Sequence, residues 1–99
     1  MKKVFLLETD PLMFKAWEVQ LKDSSWELYA LDNPEDFDFR VKDFGPDLVV
    51  VSENLRDFTT QIPYVLLTSE EGEGIRIKKP LNINNLESIL DEVFAQKTH

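Results

Sequence analysis

The chain has 99 residues, 42% of them apolar, with seven phenylalanines, two tryptophans and no cysteine. This length predicts one domain, and the apolar content is sufficient for a core, which argues against intrinsic disorder. The absence of cysteine excludes disulfide scaffolds, thiol catalysis and cysteine metal sites. A net charge of −8 predicts repulsion from nucleic acids and anionic membranes. The simplest interpretation of this charge is solubility, and a more specific one is that the chain binds a basic protein. No apolar run has the length of a signal or transmembrane segment, so we expect a cytoplasmic protein.

The first third of the chain predicts a strand, a helix and a second strand. KKVFLL (Lys2–Leu7) has the apolar content of a buried strand. Asp10 followed by proline is typical of a helix N-cap and first helical position, and predicts a helix over Pro11 to about Lys22. WELYALD (Trp26–Asp32) predicts the second strand.

The next segment is ambiguous between helix and strand. Asn33–Pro34 is a second cap-plus-proline signal, and Phe37, Val41 and Phe44 fit one helical face. The letters DFDFRV also alternate with a period of two, which is typical of a strand. We expect a helix, with a strand as the alternative.

The second half of the chain predicts three strands and a last helix. PDLVVVSENL (Pro46–Leu55) begins as a buried strand and ends in a polar tip. IPYVLLT (Ile62–Thr68) and IRIKKP (Ile75–Pro80) predict the fourth and fifth strands. The last helix, capped by Asn82, has apolar residues at helical spacing: Ile83, Leu86, Ile89, Leu90, Val93 and Phe94. This alternation of strands and helices implies a layered α/β fold with a parallel sheet.

Two predicted connections are too short for the usual helical crossover of about a dozen residues. Residues 53–61 join the third and fourth strands, and residues 69–74 join the fourth and fifth. Six extended residues span about 20 Å, enough to return along a sheet, although a hairpin is the alternative for a short loop with glycine. Ile75 and Ile77 alternate with Arg76 and Lys78, which predicts an edge strand, parallel or antiparallel, with one buried face.

Polar residues collect at the predicted carboxyl ends of the strands, where parallel sheets bind ligands. They are Glu8, Thr9, Asp10, Ser52, Thr68 and Lys79. The segments around them, FLLETDPLM, PDLVVVSENL, IPYVLLTS and IKKPLNINNLESIL, resemble in order the receiver domain of bacterial response regulators. The resemblance implies a flavodoxin-like (CheY-like) three-layer α/β fold for residues 1–99 as a single domain. It also implies a mainly parallel five-stranded sheet in the order 2-1-3-4-5, with the third and fourth helices shortened or missing.

The resemblance implies a remnant of a phosphorylation pocket at these strand ends. In the family, two acidic residues and an aspartate hold Mg²⁺, and the aspartate takes up a phosphoryl group. Glu8 matches the first acidic position, Thr9 falls on the second, and Asp10 is an acid one place later. Because Mg²⁺ sites usually need one or two well-placed carboxylates, we expect no cofactor, or at most weak Mg²⁺ binding by Glu8 and Asp10.

Ser52 falls on the position of the phosphoacceptor aspartate. A serine cannot form the aspartyl phosphate, a mixed anhydride, that drives the family's switch. Thr68 and Lys79 match the residues that contact the phosphoryl group and could hold an anion. Lys79 could instead neutralise Glu8, because buried charges are normally paired. Arg76 stands where the family has a switching aromatic residue.

The sequence therefore predicts a phosphorylation-independent receiver-like interaction module of bacterial signalling or transcription regulation, without enzymatic activity. The partner would be another protein or a second copy of the chain, because a missing fourth helix would bare part of the sheet beside Arg76 and Lys78. The alternatives are a switch in which Ser52 is phosphorylated as a monoester, or anion or metal binding in the remnant pocket. A nucleotide-binding enzyme has little support, since the three glycines form no phosphate-binding motif.

Overall fold

The computed structural model describes residues 1–53, 55, 59–70, 72, 75–79 and 81–97, so that Pro80 of the predicted fifth strand lies outside the described part. Its sheet has the order β2-β1-β3-β4-β5, with every neighbouring pair parallel. The strands are β1 (Lys2–Leu7), β2 (Trp26–Leu31), β3 (Leu48–Ser52), β4 (Val65–Thr68) and β5 (Arg76–Lys78). The predicted α/β class and strand order are therefore confirmed.

The described residues form three α-helices: α1 (Pro11–Leu21), α2 (Phe37–Phe44) and α3 (Leu86–Lys97). Asp10 caps α1 as predicted, since its Oδ1 accepts a hydrogen bond from the Leu12 N–H at 3.0 Å. Asn82 caps a short 3-10 turn that leads into α3, with its Oδ1 accepting from the Asn84 N–H at 3.2 Å. None of the described helices has the length and apolar content needed to cross a membrane.

The ambiguous segment is a helix, and the strand alternative is wrong. Phe37 and Val41, four residues apart, are buried, whereas Phe39 between them is 71% exposed. A strand would place all three side chains on one face. The helix begins at Phe37 and not directly after Pro34, because Asp36 has a left-handed backbone with φ of 59° that interrupts the helical path.

Two layers of side chains cover the sheet, one on each face. Val4 and Leu6 of β1 point toward the cluster built with α1 and α3, whereas Phe5 and Leu7 point toward α2. The first cluster also buries Trp17 and several residues of β3, β4 and β5. On the second face, the buried cluster extends only as far as β3, and no helix in the described part covers β4 and β5 there.

The short connections contain no helix in their described residues, which are 53, 55 and 59–64 before β4 and 69, 70, 72 and 75 before β5. β5 is nevertheless parallel to β4, with Leu67 opposite Ile77, so the hairpin alternative is wrong. β4 begins at Val65 and not at Ile62, which fits the inability of Pro63 to donate a backbone hydrogen bond to a sheet.

Candidate functional site

The polar ends of β3, β4 and β5 meet at one edge of the sheet. Backbone hydrogen bonds continue the sheet one residue beyond β3 and β5, from the Glu53 N–H to the Leu67 carbonyl and from the Lys79 N–H to the Thr68 carbonyl, both 3.0 Å long. These bonds fix the backbones of Glu53 and Lys79 on either side of Thr68. The structure thus brings Ser52, Thr68 and Lys79 to neighbouring strand ends, as their positions in the sequence predict.

Glu8 and Asp10, the two candidate acids after β1, are engaged by their own backbone. Glu8 is 1% exposed, and its Oε2 accepts hydrogen bonds from the N–H groups of Thr9 at 2.8 Å and Asp10 at 3.3 Å. Asp10 is exposed and caps α1. Both carboxylates therefore stabilise the turn between β1 and α1, and Thr9 contributes its backbone N–H to it.

Ser52 ends β3 and is completely buried. Its Oγ has no hydrogen-bond partner among the described residues. It borders a cleft of about 370 Å³ whose other walls include Leu55, Leu66 and Thr68. A buried hydroxyl without a partner destabilises a fold by about 1–3 kcal/mol, so this serine does not serve stability through a hydrogen bond.

Glu53, the residue after Ser52, is the central acid of the site. Its Oε2 accepts hydrogen bonds from the Thr68 hydroxyl at 2.5 Å and from the Ser69 N–H at 3.2 Å. Its Oε1 lies 3.4 Å from the Lys79 ammonium. The hydrogen bond from Thr68, with smaller contributions from Ser69 and Lys79, holds the pKa of the Glu53 carboxyl below its usual value.

The ion-pair partner of Lys79 within the described residues is therefore Glu53, and the pairing of Lys79 with Glu8 is wrong. The strand order explains this difference. β5 adjoins β4, which adjoins β3, whereas Glu8 follows β1 on the far side of β3. One signal in the sequence points to Glu53, because it is an acid directly after a strand tip. Its proximity to Lys79, however, follows only from the order and register of β3, β4 and β5.

The site residues do not fit the Mg²⁺ that the family resemblance implies. Ser52 supplies no carboxylate, Asp10 caps a helix, and one oxygen of Glu8 accepts two backbone hydrogen bonds. Over the described ranges, no group of three or more acidic, histidine or cysteine side chains is arranged to hold a metal ion. Hard divalent cations need several such oxygen ligands.

Arg76 and Lys78 lie on the same side of the sheet as α2, but α2 does not extend as far as β5. Ile77, between them, is buried in the cluster beneath α1 and α3, so strand alternation places its two neighbours on the opposite face. Arg76 is half-buried and close to Gly72, where an added Cβ would lie 2.5 Å from Nη2 of the arginine. Lys78 is exposed, and the neighbouring β4 presents the half-buried Leu66 on this face.

No protein-family model matches the chain, and no curated protein matches its sequence. Solved structures match its fold closely. The chemotaxis response regulator CheY4 of Vibrio cholerae has a TM-score of 0.76 at 18% identity, over 94% of this chain and 98% of that one. A response regulator of Desulfuromonas acetoxidans has a TM-score of 0.75 at 16% identity, over 97% and 98%. HP1043, an orphan response regulator of H. pylori, has a TM-score of 0.70 at 17% identity, over 94% and 96%. These similarities establish the fold of response regulator receiver domains, which the sequence motifs predicted.

Proposed function

We propose that this chain, as one receiver-like domain, is a protein interaction module that acts without phosphorylation in bacterial signalling or transcription regulation. The receiver fold supports the signalling class, because the matching structures are response regulators by description. The observation that carries the rest of the proposal is Ser52, a buried serine at the tip of β3. We place the protein in the cytoplasm, where such a module would meet its partners.

The chemistry of the strand ends supports independence from phosphorylation. A serine hydroxyl cannot form an acyl phosphate, and the acids near Ser52 are committed to other contacts. Glu53 is held by Thr68, Ser69 and Lys79, while Glu8 accepts hydrogen bonds from its own turn. These existing contacts disfavour Glu53 and Glu8 as nucleophiles or as ligands of a divalent ion.

Phosphorylation of Ser52 as a monoester is the weaker candidate. The residue has no exposed surface, so a kinase could reach its hydroxyl only after the end of β3 had opened. A phosphate monoester there would also place about two negative charges at a position with no exposed surface, where an unpaired charge is costly.

The proposed interaction surface is the open β4–β5 face, defined as Leu66, Arg76, Lys78 and the adjoining Tyr64. Tyr64 is 42% exposed, and Leu66 is half-buried with no described helix above it. Protein interfaces are enriched in aromatic residues and arginine, and this face presents Tyr64 and Arg76. In a protein of net charge −8, this face would attract an acidic surface, either on another protein or on a second copy of the chain.

The proposal is tested by incubating the protein with acetyl phosphate and Mg²⁺ and measuring its intact mass. We expect no added phosphoryl group, because the strand tip offers no acceptor carboxylate. A Ser52→Asp variant and a phosphorylatable receiver domain are the matched controls. A stable gain of one phosphoryl group by the unmodified protein would contradict the proposal.

A further inference from the structure

We propose that the chain's own Glu53 carboxylate is the resident ligand of the oxyanion donors Thr68, Ser69 and Lys79, of which Thr68 and Lys79 match the phosphoryl contacts that the family resemblance implies. The inference deepens the proposed function and rests on it, since it names what fills the remnant pocket. The carboxylate would act as a tethered competitor that keeps phosphate and related oxyanions out.

The geometry is that of an anion-binding site. A hydroxyl, a backbone N–H and an ammonium from two adjacent strand ends converge on one carboxylate, at 2.5, 3.2 and 3.4 Å. Hydrogen bonds to an ionised acceptor are roughly twice as strong as those between neutral groups. The same three kinds of donor bind phosphate oxygens equally well.

The Thr68 hydroxyl oxygen is held by a backbone hydrogen bond as well as by its contact with Glu53. Its oxygen accepts a hydrogen bond from the Glu70 N–H at 3.1 Å. A threonine hydroxyl has a single proton to donate, and here that proton points to Glu53. Because the Glu70 N–H does not depend on Glu53, it would still hold this oxygen in a variant without the carboxylate, and a different oxyanion could accept the same proton.

The site is shielded in a way that ordinary surface ion pairs are not. Thr68 is 1% exposed, and the side chains of Lys79 and Glu53 are 24% and 22% exposed. The lowered pKa of Glu53 agrees with a carboxylate that remains ionised in these surroundings. Because the backbone of Glu53 is itself bonded to β4, the carboxylate is present at high effective concentration.

A simple stabilising ion pair makes a different prediction from a self-occupied anion site. If the pair is only structural, removal of Glu53 lowers stability and creates no binding. If the carboxylate is a competing ligand, an oxyanion can bind only to the fraction of molecules in which the site is open, and the apparent affinity is lowered to that fraction of its intrinsic value. Removal of the carboxylate should then restore the intrinsic affinity. The cleft beside Ser52 and Thr68 offers space for an incoming anion.

The test is a titration with inorganic phosphate, followed through the amide signals of Ser69 and Glu70 in ¹⁵N–¹H spectra. We expect Glu53→Ala to bind phosphate at least about tenfold more tightly than the unmodified protein, since a site filled in nine molecules of ten is weakened by that factor. Adding Lys79→Met should abolish the gain. Glu70→Ala removes the same charge nearby but keeps the Glu70 N–H, and should change affinity by less than about twofold.

The inference is overturned if Glu53→Ala gains no affinity, if the gain survives Lys79→Met, or if Glu70→Ala gains as much. Should Glu53→Ala fail to fold, Glu53→Gln takes its place, because a neutral amide competes for Thr68 and Lys79 less strongly than a carboxylate does. Absence of a gain in phosphate affinity there counts equally against the inference. Phosphoryl uptake by the unmodified protein would overturn the proposed function alone. A negative titration without phosphoryl uptake would overturn only the self-occupied site.

Discussion

At the scale of single residues, two hydroxyls at adjacent strand ends have opposite roles. Ser52 is fully buried with no hydrogen-bond partner in the described structure, whereas Thr68 donates to Glu53 and accepts from the Glu70 N–H. A buried hydroxyl that makes no hydrogen bond costs free energy, and one that makes two stabilises both partners. The two residues should therefore respond differently to the loss of their hydroxyl groups.

We expect Ser52→Ala to leave the free energy of unfolding unchanged or to raise it by up to about 1 kcal/mol, because no hydrogen bond is lost. Thr68→Val, which keeps the shape of the side chain, should lower it by about 1–3 kcal/mol, because the Glu53 carboxylate and the Glu70 N–H each lose a partner. Urea denaturation of both variants measures these changes. A loss of stability in Ser52→Ala as large as in Thr68→Val would show that the serine has a partner in solution.

The candidate site was predictable only in part, for reasons that particular residues make clear. Ser52, Thr68 and Lys79 were found because each ends or follows an apolar run, and parallel strands bring such ends together. Glu53 was missed because strand alternation assigns it to the face opposite Ser52. Its contact with Thr68 depends on β3 lying next to β4 in one particular register, which no local pattern encodes.

At the scale of elements, α2 shows how burial decides between two periodicities. The sequence allowed a strand as well as a helix, and the buried pair Phe37 and Val41 resolves the choice. Phe37 also packs edge-on against Phe5 of β1, with ring centroids 5.4 Å apart. The apolar runs were sufficient to predict the strands, whereas the start of β4 depended on Pro63 and the start of α2 on the left-handed Asp36.

Two matched substitutions in α2 test this helical register. Phe37→Ala should lower the free energy of unfolding by about 3–5 kcal/mol, because it removes a buried ring and leaves a cavity. Phe39→Ala, two residues away, should change it by less than about 0.5 kcal/mol, because that ring is 71% exposed. Chemical denaturation gives both values. Equal losses would indicate that the two rings share one buried face, as in a strand.

Asp91 of α3 links the first residues of β1 and β2, at the end of the sheet opposite the candidate site. Its Oδ1 accepts hydrogen bonds from the Lys2 ammonium at 2.6 Å and from the Trp26 indole N–H at 2.9 Å. The hydrogen bond from Lys2, aided by that from Trp26, holds the pKa of Asp91 below its usual value. A carboxyl whose pKa is lower in the folded state adds stability above its unfolded pKa, and this is lost as the pH falls through the folded value.

We therefore expect Asp91→Asn to be less stable than the unmodified protein at pH 7, with the difference disappearing as the pH falls below about 4. The difference should be no more than about 1 kcal/mol, since the side chains of Lys2 and Asp91 are 36% and 46% exposed and solvent screens the pair. Urea denaturation at several pH values measures it. Glu87→Gln tests a second carboxyl whose hydrogen bonds from Ser25 lower its pKa, and should show the same sign. A difference that grew toward acid pH would contradict the assignment for Asp91.

At the scale of the whole molecule, coverage of the sheet is unequal. α1 and α3 cover the first face as far as Ile77 of β5, whereas α2 and its cluster extend only to β3 on the second. The open β4–β5 face therefore combines Tyr64 and Leu66 with the cations Arg76 and Lys78, in a protein with a large negative charge. These properties agree with the acidic partner proposed above, and a second copy of the chain, with its net charge of −8, would offer an acidic surface.

If a second copy covers this face, the chain should self-associate in a way that weakens with added salt, because salt screens attraction between exposed charges. Lys78→Glu should shift the monomer–dimer equilibrium toward monomer by about tenfold or more, which corresponds to about 1.4 kcal/mol for charge reversal at an interface. Lys15→Glu, a reversal at an exposed position on α1, changes the net charge equally and should leave association unaltered. Sedimentation equilibrium at low and high salt distinguishes these outcomes. Equal weakening by both variants would show that the effect comes from net charge. A monomer at every concentration would contradict self-association and leave another protein as the partner of the open β4–β5 face.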